Sequence, residues 1–358
     1  MDGMMKVLIA MSGGVDSSVA AKLLCDKGCE CIGCTMKLYD NCDAGLPRGR
    51  TCCSLDDVED ARSVAFSLGM RYYVFNFKDD FREKVIKKFA SGYLRGQTPN
   101  PCIDCNRYMK FDKLFERAKL LGCDKIATGH YARIEFDGEK YRLKKALDKS
   151  KDQSYVLYML TQEQLAHTLF PLGSLHKTDT RAIADAADLS SARKPDSQDI
   201  CFVPDGDYAT AIERLTGEKA PCGDFIDASG KILGTHRGIT HYTVGQHRGL
   251  GLSLPERRYV CGIDAENSTV TLGGSDELYS STAEVRGFNW ISGETPAEPI
   301  RCTAKIRYRQ SEQPATAIAH KDGSITIQFD APQRAVTPGQ AAVLYDGDTV
   351  LGGGEIVR

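Results

Sequence analysis

The chain lacks any apolar run approaching the ~20 residues that cross a bilayer, which argues against a membrane-spanning protein. Its first eleven residues carry one lysine and a short apolar stretch, Val7–Met11. That stretch is too brief for the core of an export signal and ends at no small-residue cleavage site, so a cytoplasmic protein is expected. An excess of one charge is missing as well. Lys and Arg total 46 against 48 Asp and Glu, a formal net charge of −2. Nucleic-acid binding would therefore need local clustering of cations. The GxxxxGK[ST] pattern is absent, which excludes the usual ATPase or GTPase phosphate loop. No internal repeat or low-complexity tract is visible. At 358 residues, 42% hydrophobic and 26% charged, the chain reads as a soluble globular protein of two or three domains.

What the chain does have is cysteine, 14 residues of it. A reducing cytosol forbids reading these as a structural disulfide set. Some are therefore core residues, some reactive and some candidate metal ligands.

The first half alternates apolar runs with amphipathic stretches. Strands are expected at Lys6–Met11, Cys31–Met36, Tyr72–Phe77 and Lys125–Thr128. Helices are expected at about Asp16–Lys27, at Leu55–Leu68 with Ser54 as its cap, and at Asp80–Arg95. This alternation predicts an α/β fold with a parallel sheet covered by helices. Residues 151–189 read as mostly helical. Beyond about residue 205, turns such as Asp227-Ala-Ser-Gly230, Asp322-Gly323 and Asp346-Gly347 separate short alternating strands, the pattern of antiparallel β structure. Three domains are expected, 1–205, 206–280 and 281–358.

The first strand runs into Ser12-Gly-Gly-Val-Asp-Ser-Ser18 and a helix begins there. Two glycines allow a tight turn that points N–H groups inward. The helix N-terminus adds partial positive charge, and Ser12, Ser17 and Ser18 add hydroxyls. Such a loop should hold a phosphate or pyrophosphate. SGGVDSS after an N-terminal strand resembles the signature of the PP-loop ATP-pyrophosphatase superfamily, whose members cleave ATP between the α- and β-phosphates and pass AMP to a substrate oxygen. The resemblance implies ATP contacts from Ala10, Met11, Ser12, Gly13, Gly14, Val15, Asp16 and Ser17, with Asp16 helping to place Mg2+. It also implies contacts from Met36 beside adenine, though a lone methionine is more often core, and from Gly129, which position alone would equally allow as a turn glycine.

Two segments offer reactive cysteines. Thr98-Pro-Asn-Pro-Cys-Ile-Asp-Cys-Asn106 reads as a loop because of its prolines, and Cys201 follows the polar stretch Lys194–Ile200. With these, the chain closely resembles bacterial tRNA-specific 2-thiouridylases over nearly its whole length. The markers are SGGVDSS, PNPxxxCN, GHYAR, KDQSY, SQDICF, YTVGQHRG and RYR. The family match implies a PP-loop adenylylation domain, a small β-rich central domain that contacts tRNA and a C-terminal antiparallel β-barrel. The implied activity is ATP-dependent 2-thiolation of the wobble uridine of tRNAs of the Lys, Glu and Gln type. Cys105 takes the position of the nucleophile and Cys201 that of the persulfide carrier.

One departure matters. Many family members carry aspartate where this chain has Cys102. Cys102 then either stands in for that carboxylate, or Cys102, Cys105 and Cys201 together hold an iron–sulfur cluster that carries sulfide. Cys42, Cys52 and Cys53 form a weaker candidate metal group. Cys29, Cys31 and Cys34 bracket a strand and read as small apolar residues, and Cys25, Cys123, Cys222, Cys261 and Cys302 as buried or incidental.

Three features supply local positive charge. Alternation in Arg301–Arg309 puts Arg301, Lys305, Arg307 and Arg309 on one strand face, with Cys302, Ala304, Ile306 and Tyr308 on the other. That row suits phosphates, and a solvated edge face would look the same. Gly234–Arg258 is also basic, and Lys151-Asp-Gln153 opens a helix that the family uses against tRNA. By the resemblance, tRNA contacts fall to Asn100, Pro101, Cys102, His130, Lys151, Asp152, Gln153, Arg307, Tyr308 and Gln340. A cysteine desulfurase or sulfur-carrier protein is the implied donor, and a monomer is expected. Competing readings are a synthetase that transfers nitrogen, a lysidine-type enzyme, and a non-catalytic RNA-binding protein, which would have no use for an ATP loop.

Overall fold

The computed structural model describes residues 4–39, 55–194, 200–203 and 205–358. The expected cap Ser54, the cysteines Cys42, Cys52 and Cys53, and Ser197-Gln198-Asp199 lie outside the described residues.

Strands β1 (Lys6–Ala10), β2 (Glu30–Lys37), β3 (Arg71–Asn76) and β4 (Lys125–Ala127) join Thr168–Leu169 in an all-parallel sheet. The spatial order is β3-β2-β1-β4, then Thr168–Leu169. Val7, Leu8 and Ile9 of β1 are fully buried, as a central parallel strand covered on both faces requires. Helix α1 (Val15–Asp26) follows β1 and helix α2 (Leu55–Ser67) precedes β3. The chain goes from β1 to β2 on one side, and β4 pairs on the other. The switch point therefore lies at the carboxyl ends of β1 and β4, where open α/β sheets place their ligands.

A continuous helical stretch covers 78–94 and includes a π-helical segment at Arg82–Ile86. A second covers 101–120 with π geometry over Cys105–Lys113. The expected helix over 151–189 is instead a 3-10 turn at Ser154–Leu157, a helix at Gln162–Ala166, the short strand, and a helix at Lys177–Ala186. The apolar run Tyr155–Leu160 is buried as a compact turn, and Pro171 keeps the short strand from running on into the last helix.

The central region is a four-stranded sheet, in the order Tyr259–Asp264, Thr269–Gly273, Gly223–Ile226, Ile232–His236. Two pairings are antiparallel and the middle one is parallel. Six C-terminal strands form an antiparallel barrel, closed by pairing of Tyr279–Trp290 with Thr349–Ile356. The hairpin Ala132–Phe136/Tyr141–Lys145 of the first domain touches the last barrel strand through Thr349 and Lys144. One core cluster spans both units, combining Leu8, Phe111, Tyr155 and Leu157 with Val343, Tyr345 and Val350. At about 1.5–3 kcal/mol per large apolar side chain removed from water, this shared core holds the barrel against the first domain.

Candidate active site

At the carboxyl end of β1 the chain turns through Gly13, whose φ of +73° favours glycine. A side chain there would meet the backbone of Asp57 in α2. Ser17 Oγ accepts from Ser12 N–H at 3.1 Å and donates to the Gly14 carbonyl at 3.1 Å. Ser18 Oγ also donates to Gly14, at 3.0 Å. These bonds shape the loop so that helix α1 starts directly behind it. Gly129, just past β4, packs against the same turn. A Cβ added there would stand 2.8 Å from the Asp16 carbonyl carbon and 2.8 Å from the Ser17 nitrogen. Close backbone approach therefore requires glycine at this position.

Asp16 opens α1 with an acidic side chain. Lys177 Nζ reaches both of its oxygens, at 2.7 and 2.8 Å, and Tyr131 Oη donates to it at 3.0 Å. Tyr131 Oη also lies 2.9 Å from Thr180 Oγ1. Lys177 and Thr180 are buried on a helix 161 positions along the chain from the loop. A second tether comes from Ser191, whose hydroxyl donates to Ser18 at 2.9 Å. Lys194, just before the cysteine-bearing segment, pairs with Asp57 at 2.8 Å and with Asp60.

The segment expected to be a loop at 98–106 is a helix start. Asn100 caps it, its side chain accepting from the Cys102 N–H at 3.1 Å, and Pro101 takes the first helical position. Proline is tolerated there because that N–H has no helical partner, so the prolines mark an entry and exclude no helix. Cys102 and Cys105 thus sit one turn apart. Cys102 is exposed and Cys105 half-buried. Cys105, Cys201 and Met36 border one apolar cluster that contains Tyr39, Phe81, Phe89 and Phe202. Tyr39 Oη donates to the Cys201 carbonyl at 2.8 Å. Asn106, buried, donates to the Val156 carbonyl at 3.0 Å and fixes the helix from beneath.

The barrel closes over this helix entry. Thr98 N–H donates to the Pro338 carbonyl at 2.8 Å, and Gln340 returns a bond to the Thr98 carbonyl at 2.6 Å. Tyr308 Oη reaches the Asp152 carbonyl at 3.4 Å, and its ring lies 5.8 Å from that of Tyr155. Asp152 accepts from Ala146 N–H and from the Ser154 hydroxyl, and Gln153 accepts from Tyr131 N–H. The 151–153 segment therefore joins Tyr131, the partner of Asp16, to the barrel.

Family models cover the whole arrangement. Residues 5–205 match the tRNA methyl transferase HUP domain, 210–274 the tRNA methyl transferase PRC-barrel domain, and 280–356 the aminomethyltransferase beta-barrel domain. A protein of Acetivibrio thermocellus named tRNA-specific 2-thiouridylase MnmA is 52% identical, covering 98% of this chain and 99% of that one. The tRNA-specific 2-thiouridylase MnmA 2 of Caldanaerobacter subterraneus is 51% identical over 99% and 98%. The Clostridioides difficile MnmA is 48% identical over 99% and 98%. The chain belongs to the tRNA-specific 2-thiouridylase family.

Against the expectations from sequence, this 2-thiouridylase family member differs in its cation row. The strand Ile300–Lys305 ends before Arg307. Cys302, Ala304 and Ile306 are buried as expected. Arg301, however, is paired in two places with Asp330, and Arg307 turns inward to the Ala335 carbonyl at 2.9 Å and Thr337 Oγ1 at 2.7 Å. The row is thus dispersed, because alternation does not reveal where a strand stops. His130 is also buried. Lys110 Nζ donates to its Nε2 at 3.2 Å, which leaves Nδ1 to donate to Thr128 Oγ1 at 2.6 Å. Burial and the adjacent ammonium both hold its pKa well below the ordinary histidine value. Burial pushes the Cys34 thiol up, and likewise Cys302, to about 11, in line with small apolar roles. Cys222 is exposed. Among the described residues no three His, Cys, Asp or Glu side chains are gathered to hold a metal. Cys102, Cys105 and Cys201 are accordingly not gathered into one group in this structure. Among the described residues, too, no helix is long and apolar enough to cross a membrane.

Sequence reading missed Lys177, Tyr131 and Thr180. Tyr131 lies inside the GHYAR motif and could have been singled out. The lysine carries no local signal, since only the tertiary fold brings it to Asp16.

Proposed function

We propose that this chain catalyses ATP-dependent 2-thiolation of a tRNA wobble uridine, with sulfur delivered from a cysteine persulfide. The observation that carries the reading is the shared border of Cys105, Cys201 and Met36 on one apolar cluster, with Met36 on the strand that pairs with the one leading into the glycine turn. Family membership supports the tRNA substrate.

In this reading ATP lies on the loop from Ala10 to Ser17, with adenine against Met36 and its phosphates facing the N-terminus of α1. Asp16 would divide its oxygens between any Mg2+ and Lys177, which reaches both of them. The uridine 2-oxygen attacks the α-phosphorus and pyrophosphate leaves, so that a poor leaving group becomes AMP. The terminal sulfur of a Cys201 persulfide attacks carbon 2. AMP departs with the former 2-oxygen, and the Cys105 thiolate takes the inner sulfur of Cys201. The S–S bond of the persulfide breaks, a Cys105–Cys201 disulfide forms, and the terminal sulfur stays on the base. A dithiol reductant restores the thiols, and a desulfurase or carrier protein reloads Cys201. The work would take place in the cytoplasm, by a monomer. Cys102, exposed at the helix entry, would stand in for a carboxylate near the base, its thiol giving a proton and its thiolate taking one.

Cys105→Ser and Cys201→Ser are each expected to abolish 2-thiouridine, measured by nucleoside mass spectrometry of the tRNA product, while tRNA affinity stays within about two-fold. Normal thiolation by either variant would falsify the assigned roles.

A further inference from the structure

A cavity of about 340 Å³ lies between the cysteine-bearing helix, the end of the 78–94 helix and the barrel. Asn100, Ile103, Asp104 and Arg107 line it, a spacing that belongs to one helix face. Cys102 and Cys105 do not line it. Four cations converge here: Lys88, Arg95 and Arg107 from the first domain and Arg286 from the barrel strand Tyr279–Trp290. The carboxylates are Asp104 and Glu355.

Lys88 is committed to buried Asp104 at 2.8 Å. The Arg95 guanidinium donates to the neutral amide of Gln97 at 3.2 Å, and that of Arg107 lies 6.0 Å from the ring centre of its neighbour Tyr108. Arg286 is the ladder partner of Glu355. Even so, among the described residues none of these three arginines makes an ion pair with a carboxylate, whereas Lys88 does. Three guanidinium groups therefore surround a concave space that offers one unspent carboxylate. Like charges held together in a recess repel one another more strongly than in bulk water, so the arrangement opposes folding unless an anion enters. The planar fork of guanidinium matches phosphate oxygens in pairs. The volume is near the lower end of ligand-sized pockets, about 300–1,000 Å³, enough for one nucleotide unit and too small for a duplex. A second recess continues past Arg286 and Gly287 to Asp322 and Ser324, leaving the space open along the barrel edge for a chain that enters and departs.

The geometry points to this cavity as a docking site for a backbone phosphate of the tRNA substrate, adjacent to the cysteine site and separate from the ATP loop. The inference rests on the tRNA reading above. A phosphate held jointly by Arg107 and Arg286 would bridge the helix that carries Cys102 and Cys105 and the barrel, and so fix that helix when substrate is bound.

The test is equilibrium binding of unmodified tRNA to the full chain between about 50 and 200 mM salt, for the wild type, Arg107→Gln, Arg286→Gln, the double variant and Arg286→Lys. Each Gln variant is expected to weaken binding three- to ten-fold at low salt. Each should also lower the steepness of log K against log salt, by at most about 0.7–0.9, the contribution of one phosphate contact. The double variant should lose no more slope than about 0.7–0.9 in total, because both arginines hold the same phosphate, and Arg286→Lys should keep the wild-type slope, which separates lost charge from a damaged barrel. Calorimetry with inorganic phosphate and with AMP supplies the other arm. AMP should bind the wild type and the double variant alike, and inorganic phosphate should bind the double variant no more tightly than the wild type. Unchanged slopes in the double variant, with normal tRNA binding by the wild type, would overturn the cavity assignment and leave the functional reading intact. Selective loss of AMP or phosphate binding with the tRNA slope retained would make this a site for a free anion and also overturn it. A wild-type chain that binds no tRNA would sink both.

Discussion

A carboxylate at the mouth of a phosphate loop repels the ligand that the loop attracts. Asp16 occupies that position, and Lys177 answers it by holding both carboxylate oxygens from a buried site. The pair makes the turn close to neutral, while Tyr131 Oη sets the rotamer of the acid. Removing one partner of a buried pair costs about 3–5 kcal/mol. Because the Asp16 side chain keeps a third of its surface exposed, solvent screening reduces the figure to about 1–2 kcal/mol. Lys177→Met should therefore lower stability by that amount in a denaturant melt. It should lower tRNA-dependent AMP release at least about ten-fold, with Lys177→Arg recovering part of it. AMP release at the wild-type rate in Lys177→Met would mean that the pair serves folding alone. At this scale the sequence displays the glycines, serines and Asp16 because they are contiguous, and hides Lys177 because its partner is set by packing between distant helices.

Elements explain why the loop can be so tight. The loop, α1 and the end of β4 meet at Gly129, where backbone stands against backbone and neither side can yield by a rotamer change. Gly129→Ala forces overpacking at a cost of about 1–3 kcal/mol, and it displaces the first turn of α1. The KM for ATP is expected to rise several-fold while tRNA affinity is retained. A wild-type ATP KM would show that the turn relaxes elsewhere. Elements of this region were largely legible in the sequence. A central parallel strand reads as an unbroken apolar run, and the glycine turn announces the helix behind it. The cysteine helix was not. Two prolines suggested a loop, although Asn100 before Pro101 is itself a cap-and-start signal. The π geometry over Cys105–Lys113 leaves no pattern that composition could reveal. It changes which residues share a face with Cys105.

For the whole molecule, the consequence is a clamp. The first domain and the barrel share a core, and the barrel loop at 338–340 grips the entry of the cysteine helix at Thr98. Barrel position and cysteine position are thus mechanically linked, while the glycine loop is tied to the helix Lys177–Ala186 instead. The change from α/β to β structure after about residue 205 was legible in the turn density. The clamp was not, since Gln340 and Thr98 are 242 positions apart. Two substitutions grade it. Gln340→Ala removes one hydrogen bond, worth about 0.5–1.5 kcal/mol. Gly339→Ala adds a Cβ 2.8 Å from the Thr98 nitrogen at a residue whose φ is +87°, with a left-handed penalty of about 1–2 kcal/mol in addition to the clash. Thiolation kcat/KM for tRNA should fall in the order wild type, Gln340→Ala, Gly339→Ala, with the first step about three- to ten-fold. Affinity for ATP, measured calorimetrically without tRNA, should stay constant across the series. If ATP affinity declined in parallel with thiolation, the barrel would be acting on the whole catalytic half and not on the cysteine helix alone.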